Sequence, residues 1–141
     1  MIALDTNVVS ELMRPRPDPV VVAWVDAQDA QQLYLPAVCI AEVLFGIARL
    51  PVGRRRDQLA QTFSDMLADD FTDRTLAFDE HAAVRFAQVA AAAETHGRPM
   101  SVADAQIAAT CLLHDAQLAT RNTKDFARCG LVLVDPWQRD A

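Results

Sequence analysis

The chain has 141 residues, 52% of them apolar and 23% charged, with a formal net charge of −6. That length suits one domain able to bury roughly two thirds of the surface its unfolded chain exposes, and the composition is globular, not disordered. No apolar run approaches the ~20 residues of a membrane span, and the acidic balance argues against broad nonspecific adhesion to nucleic acid without excluding a nucleic-acid substrate.

Taken in chain order, short apolar runs alternate with longer helical patterns. The opening MIALDTN lacks a basic n-region and a small-residue cleavage site, so no signal peptide is expected. Strands are expected at residues 2–4, 33–35, 76–78, 117–119 and 131–134, and helices at 8–12, 19–27, 37–48, 54–69, 79–96 and 102–114. Pro15, Pro17 and Pro19 separate the first two helices, Pro51 and Gly53 the third from the fourth, and Gly97 to Pro99 close the Ala-rich helix. The α/β rhythm, with short loops and no repeat or linker, predicts a single domain over residues 1–141. Its parallel sheet has four to five strands, with helices on both faces.

Within this frame, a few acidic residues stand where water is not expected. Glu42 is the one charged side chain in AVCIAEVLFGIA, and a helix apolar on every side is normally buried, so Glu42 is expected inside. A lone ionised carboxylate there costs several kcal/mol unless it finds a partner, and no Lys or Arg is near it in sequence. Asp5 directly follows the first strand, Asp104 sits in the first turn of a helix, and Asp125 follows the fourth strand. Ligands in open parallel sheets gather beyond the carboxyl ends of strands, so one pocket can collect all four. Like charges about 5 Å apart repel by roughly 3 kcal/mol per pair at an effective dielectric near 20, and a bound divalent ion reverses that sign.

Each residue also has a purely structural use. Asp5 can cap the helix that starts beside it, Ser101 to Asp104 resembles a capping box, and Asp125 can cap a short turn before Phe126. Glu42 caps nothing. Thr6 and Asn7 beside Asp5, and Asn122 and Thr120 near Asp125, suit the orienting of carboxylates or of a water, with turn and cap chemistry serving at least as well for Thr120 and Thr123. Ser10, Glu11 and Arg14 read as the wet side of a short helix, with no chemistry assigned. His81, His96 and His114 lack zinc-ligand spacing and read as structural. Cys39, Cys111 and Cys129 lack C-x-x-C spacing and fit a reducing cytoplasm. Arg14, Arg16, the run Arg54 to Arg56, Arg98, Arg121 and Lys124 could form a local phosphate-binding rim, although the run serves as well for a solvated helix start.

Two other enzyme classes also place an aspartate after the first strand. A haloacid dehalogenase pattern needs a second aspartate where Asn7 stands. A receiver domain needs a lone phosphoacceptor after the third strand, where this chain has Phe78-Asp79-Glu80.

Taken together, LDTNVVSEL, AEVLFGIA around 42, ADAQIAA around 104 and TRNTKDF around 125 resemble the PIN-domain family, and more narrowly VapC-type toxins of the FitB-like branch. The motifs run in family order over essentially the whole chain, closing on LVLVDPW. The resemblance implies a ribonuclease whose Asp5, Glu42, Asp104 and Asp125 hold Mg²⁺ or Mn²⁺. Its reaction would be RNA phosphodiester hydrolysis to a 5′-phosphate and a 3′-hydroxyl. It also implies a homodimer inhibited by a small DNA-binding antitoxin of the VapB or FitA kind, a larger complex of both on operator DNA, and no membrane association. The alternative it leaves is a catalytically weak binding module acting through antitoxin pairing and operon autoregulation.

Overall fold

The computed structural model describes residues 1–138. Five parallel strands, β1 (Ile2–Leu4), β2 (Leu33–Pro36), β3 (Thr75–Leu76), β4 (Gln117–Ala119) and β5 (Leu133–Val134), form a sheet in the order β3-β2-β1-β4-β5. Six helices connect them: α1 (Thr6–Leu12), α2 (Pro19–Asp26), α3 (Ala37–Ala48), α4 (Arg54–Asp70), α5 (Glu80–Thr95) and α6 (Val102–Leu113).

Side chains alternate across the strands, so the central strands β1, β2 and β4 feed two cores. Leu4, Leu33, Leu35 and Ala119 face a core built with Val8, Val9, Val21, Val43, Ile47 and Phe63 from α1 to α4. Ala3 and Leu118 face the other, with Ile107, Ala108 and Cys111 of α6 and with Phe126. A sheet buried on both faces explains the near-continuous apolar reading of its short strands.

The chain runs outward from β1 through β2 to β3, then crosses to β4 on the other side of β1. The strand order therefore reverses at β1, and the crevice beyond its carboxyl end is where such sheets hold ligands.

Three expectations shift by a few residues. The first helix starts at Thr6, because Asp5 caps it. The third strand is Thr75–Leu76, not 76–78: Asp79 accepts from Ala82 N and starts α5, and Phe78 packs edge-to-face on Phe86 instead of entering the sheet. The last strand shortens to the residues that pair with Leu118 and Ala119. Two 3₁₀ turns, Ala30–Gln32 and Thr123–Phe126, carry no hydrophobic period and left no sequence signal.

Two larger expectations fail. Helix α3 buries only the stripe Cys39, Val43 and Ile47, while Leu44 and Phe45 stand 47% and 64% exposed and Glu42 is exposed as well. An apolar sequence does not bury a helix that touches the sheet on one side only. Conversely, Glu11 is buried, with Arg14 reaching over it at 3.2 Å, because α1 is covered along that face.

Candidate functional site

Parallel register builds the centre of the site. Leu4 pairs with Ala119, and Asp5 N donates to Ala119 O at 2.9 Å, so the next residues along each strand, Asp5 and Thr120, lie side by side. Both are buried. Asp5 Oδ2 accepts from the Thr120 hydroxyl at 2.7 Å and from Asn7 Nδ2 at 3.4 Å, while Oδ1 accepts the α1 capping bond from Thr6 N at 2.8 Å. The cap and the site residue are thus one side chain. Thr120 Oγ1 in turn accepts from Asn122 N at 3.0 Å and Asn7 Nδ2 at 3.3 Å, and Asn7 Oδ1 accepts from Arg121 N at 3.3 Å.

Helix α3 brings Glu42 to the same place from solvent. Its Oε1 accepts from the Thr6 hydroxyl at 2.8 Å. One ligand atom from each of Asp5, Glu42 and Cys39 lies within 4.8 Å of the others. Glu42 therefore meets Asp5, although from the open rim and not from within an apolar core.

Cys39 was not among the expected site residues. Its Sγ lies 3.9 Å from Asp5 Oδ1, and burial, then the Asp5 charge, pushes its thiol well above the ordinary range. It is a neutral thiol that donates weakly to Asp5, not a thiolate ligand.

Asp104 opens α6, with its backbone N–H capped by Ser101 Oγ at 3.1 Å, so half of the expected capping box is present. Its half-buried carboxyl is raised by desolvation first, and further by the charges of Asp5, Asp125 and Glu42. The four carboxylates therefore share one electrostatic basin. Asp104 and Asp125 nevertheless stand outside the tight Asp5–Glu42 group and line an adjoining cavity of about 600 Å³. Asp125 is exposed on the 3₁₀ turn, and Asn122 enters the network through its backbone N–H, with its side chain capping nothing.

Burial also raises the Asp5 carboxyl, with Glu42 adding to it and the Thr120 and Thr6 donors opposing. Among the described residues no Lys or Arg pairs with any of the four acids, since the ion pairs there are Arg14–Glu11 and His81–Glu80. Unneutralised oxygen donors beside a protonated thiol fit a hard divalent cation and not a soft one.

Fold and centre define a class: a parallel α/β domain with a carboxylate basin at its topological switch point. Residues 2–130 match the PIN domain, and the chain belongs to that family. It is 41% identical over 138 residues to the VapC ribonuclease Y4jK of Sinorhizobium fredii, covering 98% of this chain and 99% of the relative. It is 39% identical over 137 residues to the toxin FitB of Neisseria gonorrhoeae, covering 97% and 99%. Among solved structures it resembles a chain of FitAB bound to an IR36 DNA fragment, with a TM-score of 0.92 and 38% identity over 100% of this chain and 99% of that one. A chain of FitAcB from Neisseria gonorrhoeae gives 0.86 and 37% over 99% and 100%.

Proposed function

We propose that this protein is a metal-dependent ribonuclease toxin of a toxin–antitoxin pair, acting in the cytoplasm on single-stranded or loop RNA. Asp5, Glu42 and Asp104 would hold a Mg²⁺ or Mn²⁺ ion, and Asp125 would serve a second ion or position the water. One observation carries the reading: Thr6 ties the Asp5 and Glu42 carboxylates together, and neither they nor Asp104 and Asp125 are held in an ion pair among the described residues. Full-length relatives that include a VapC ribonuclease support it.

A bound ion would supply positive charge against the phosphate oxygens and make a water more acidic. The chain's own part is preorganisation. Thr6 fixes both Asp5 and Glu42, one through its backbone N–H and the other through its hydroxyl. Thr120 and Asn7 hold the second Asp5 oxygen, which keeps the carboxylate plane from rotating. The exposed Glu42 and Asp125 leave the basin open to a splayed backbone, which a stiff duplex enters less readily.

A binding surface adjoins this centre. A mostly apolar groove of about 580 Å³ runs between α1, α3 and α4 past Glu42, Val43, Ile47 and Leu59. Leu44 and Phe45 stand exposed on α3 nearby. These surfaces support pairing with a FitA- or VapB-like antitoxin and a homodimer, as does the likeness to FitAB bound to DNA, in which operator binding would fall to the antitoxin. No helix among the described residues is long and apolar enough to cross a membrane.

The test is incubation of the purified protein with structured and single-stranded RNAs in Mn²⁺, in Mg²⁺ and in EDTA, alongside Asp104→Asn. Metal-dependent cleavage lost in the variant is the expected result. An inert wild type that still binds its antitoxin would favour the binding-module reading instead.

A further inference from the structure

We propose that the cavity beside Asp104 and Asp125 is a nucleotide subsite that holds the RNA next to the bond being cut. This rests on the ribonuclease reading for its place in the reaction but not for its binding chemistry. The cavity, about 600 Å³, lies between α5 from Arg85 onward, the segment entering α6, and the Thr123–Phe126 turn with the residues after it. That size is within the range of small-ligand pockets.

Its charge is the opposite of the chain's. Arg85, Arg98, Lys124 and Arg128 line it against Asp104 and Asp125, in a protein of net charge −6. None of these four cations makes an ion pair among the described residues. Cations left unneutralised on an acidic protein, grouped around one concavity, suit phosphates.

The interior is different. Val89, Met100 and Cys129 form an apolar wall, with Cys129 Sγ 3.5 Å from Met100 Sδ, and Gln88 offers an amide beside them. A cationic rim over an apolar wall matches a nucleotide, with the phosphate at the rim and the base inside. Among the described residues no Phe, Tyr or Trp lines the cavity and the His96 imidazole is its one aromatic ring, so base preference would come from shape, from Gln88 and from stacking on His96.

Arg128 is one of three non-glycine residues with positive φ among the described residues, beside Asp73 and Asp115. Arg128 has φ of +72°, a left-handed conformation that costs a non-glycine residue and persists where the surroundings or function require it. Glycine would fit that backbone better, yet arginine stands there, on the cavity wall.

The experiment measures binding of a fluorescent single-stranded RNA of about eight nucleotides to the full-length protein in EDTA, over a range of salt, and then cleavage in Mn²⁺. Arg85→Gln with Arg98→Gln should weaken binding at least tenfold and reduce the salt slope by about 1.4, the expectation for two lost single-strand phosphate contacts. In cleavage the same variant should raise KM with little change in kcat. Arg128→Gly should raise the thermal midpoint while weakening RNA binding, which a merely structural arginine would not do. Unchanged affinity and slope in the double variant would overturn the proposal. So would polyglutamate of equal charge competing as well as RNA, which would mean general anion attraction. Binding in EDTA without cleavage in Mn²⁺ would sink the ribonuclease reading while supporting the subsite.

Discussion

Thr120 and Asp5 are 115 residues apart in sequence and share a 2.7 Å hydrogen bond in the interior, the hydroxyl donating to Oδ2. The same hydroxyl accepts from Asn122 N and Asn7 Nδ2. Thr120→Val keeps the shape and removes all three bonds, leaving a buried carboxylate oxygen and a backbone N–H short of partners. The expected cost is roughly 1–3 kcal/mol of stability, with a fall in RNA cleavage of at least tenfold. Thr120→Ser should restore both. Denaturant unfolding and initial rates on the three proteins check this, and a fully active valine variant would contradict the positioning role.

That bond also marks the limit of what the sequence conveys. Asp5 and Asp104 were legible because strand ends and helix starts can be read from local pattern, and the parallel sheet then places them. Thr120 was legible only as a residue able to orient a carboxylate near Asp125 or to serve a turn, because its place beside Asp5 depends on the register Leu4 to Ala119. Glu42 meets Asp5 but not from the interior where it was expected: its neighbours Leu44 and Phe45 are apolar yet exposed, so the burial inferred from them does not hold. Glu11 erred the other way, since polar neighbours in sequence say nothing of what packs over a short helix. Cys39 became visible only when α3 was laid against β1.

Glu11 and Arg14 supply a test of that buried acid. The Glu11 side chain is 6% exposed, whereas the Arg14 side chain is 65% exposed, so the pair is half solvated and its attraction is screened. Arg14→Ala leaves the buried carboxylate without its partner and should destabilise by roughly 1–3 kcal/mol. A double variant with Glu11→Met as well should recover most of the loss, since an apolar group of similar volume needs no partner. Thermal melts of the two variants decide it: no recovery in the double variant would mean that Glu11 has another essential contact.

The apolar face of α3 predicts an effect on assembly without an effect on folding. Phe45 is 64% exposed, and the Arg49 guanidinium sits 5.5 Å from its ring centroid. Phe45→Glu should leave the thermal midpoint within about 0.5 kcal/mol equivalent of wild type, as for ordinary surface changes. It should weaken self-association or antitoxin capture by at least tenfold if this face is covered by a partner. Sedimentation of the protein alone and titration with the antitoxin measure the two. Unchanged values in both would remove α3 as an interface.

The carboxylate basin gives a pH dependence whose sign separates it from ordinary helix capping. Asp79 accepts from Ala82 N, which holds its carboxyl below the usual value of 3.8, so its contribution is present above that pH and is lost as pH falls through its lower folded value. Asp5 and Asp104 are shifted upward, chiefly by desolvation, and the folded protein therefore binds their protons more tightly than the unfolded chain. Their ionisation opposes folding, so in EDTA stability from this source should rise as pH falls from neutral through their folded values toward 3.8. Asp104→Asn removes part of that dependence: in EDTA it should be more stable than wild type near neutral pH, and the gap should close on acidification. Mg²⁺ should do at neutral pH what protons do in acid, raising the wild-type midpoint more than that of the variant. Chemical unfolding of both proteins between pH 4 and 7.5, with and without Mg²⁺, tests this. A wild type and variant with parallel pH profiles and equal responses to Mg²⁺ would show that Asp104 neither feels the other carboxylates nor helps to hold the ion.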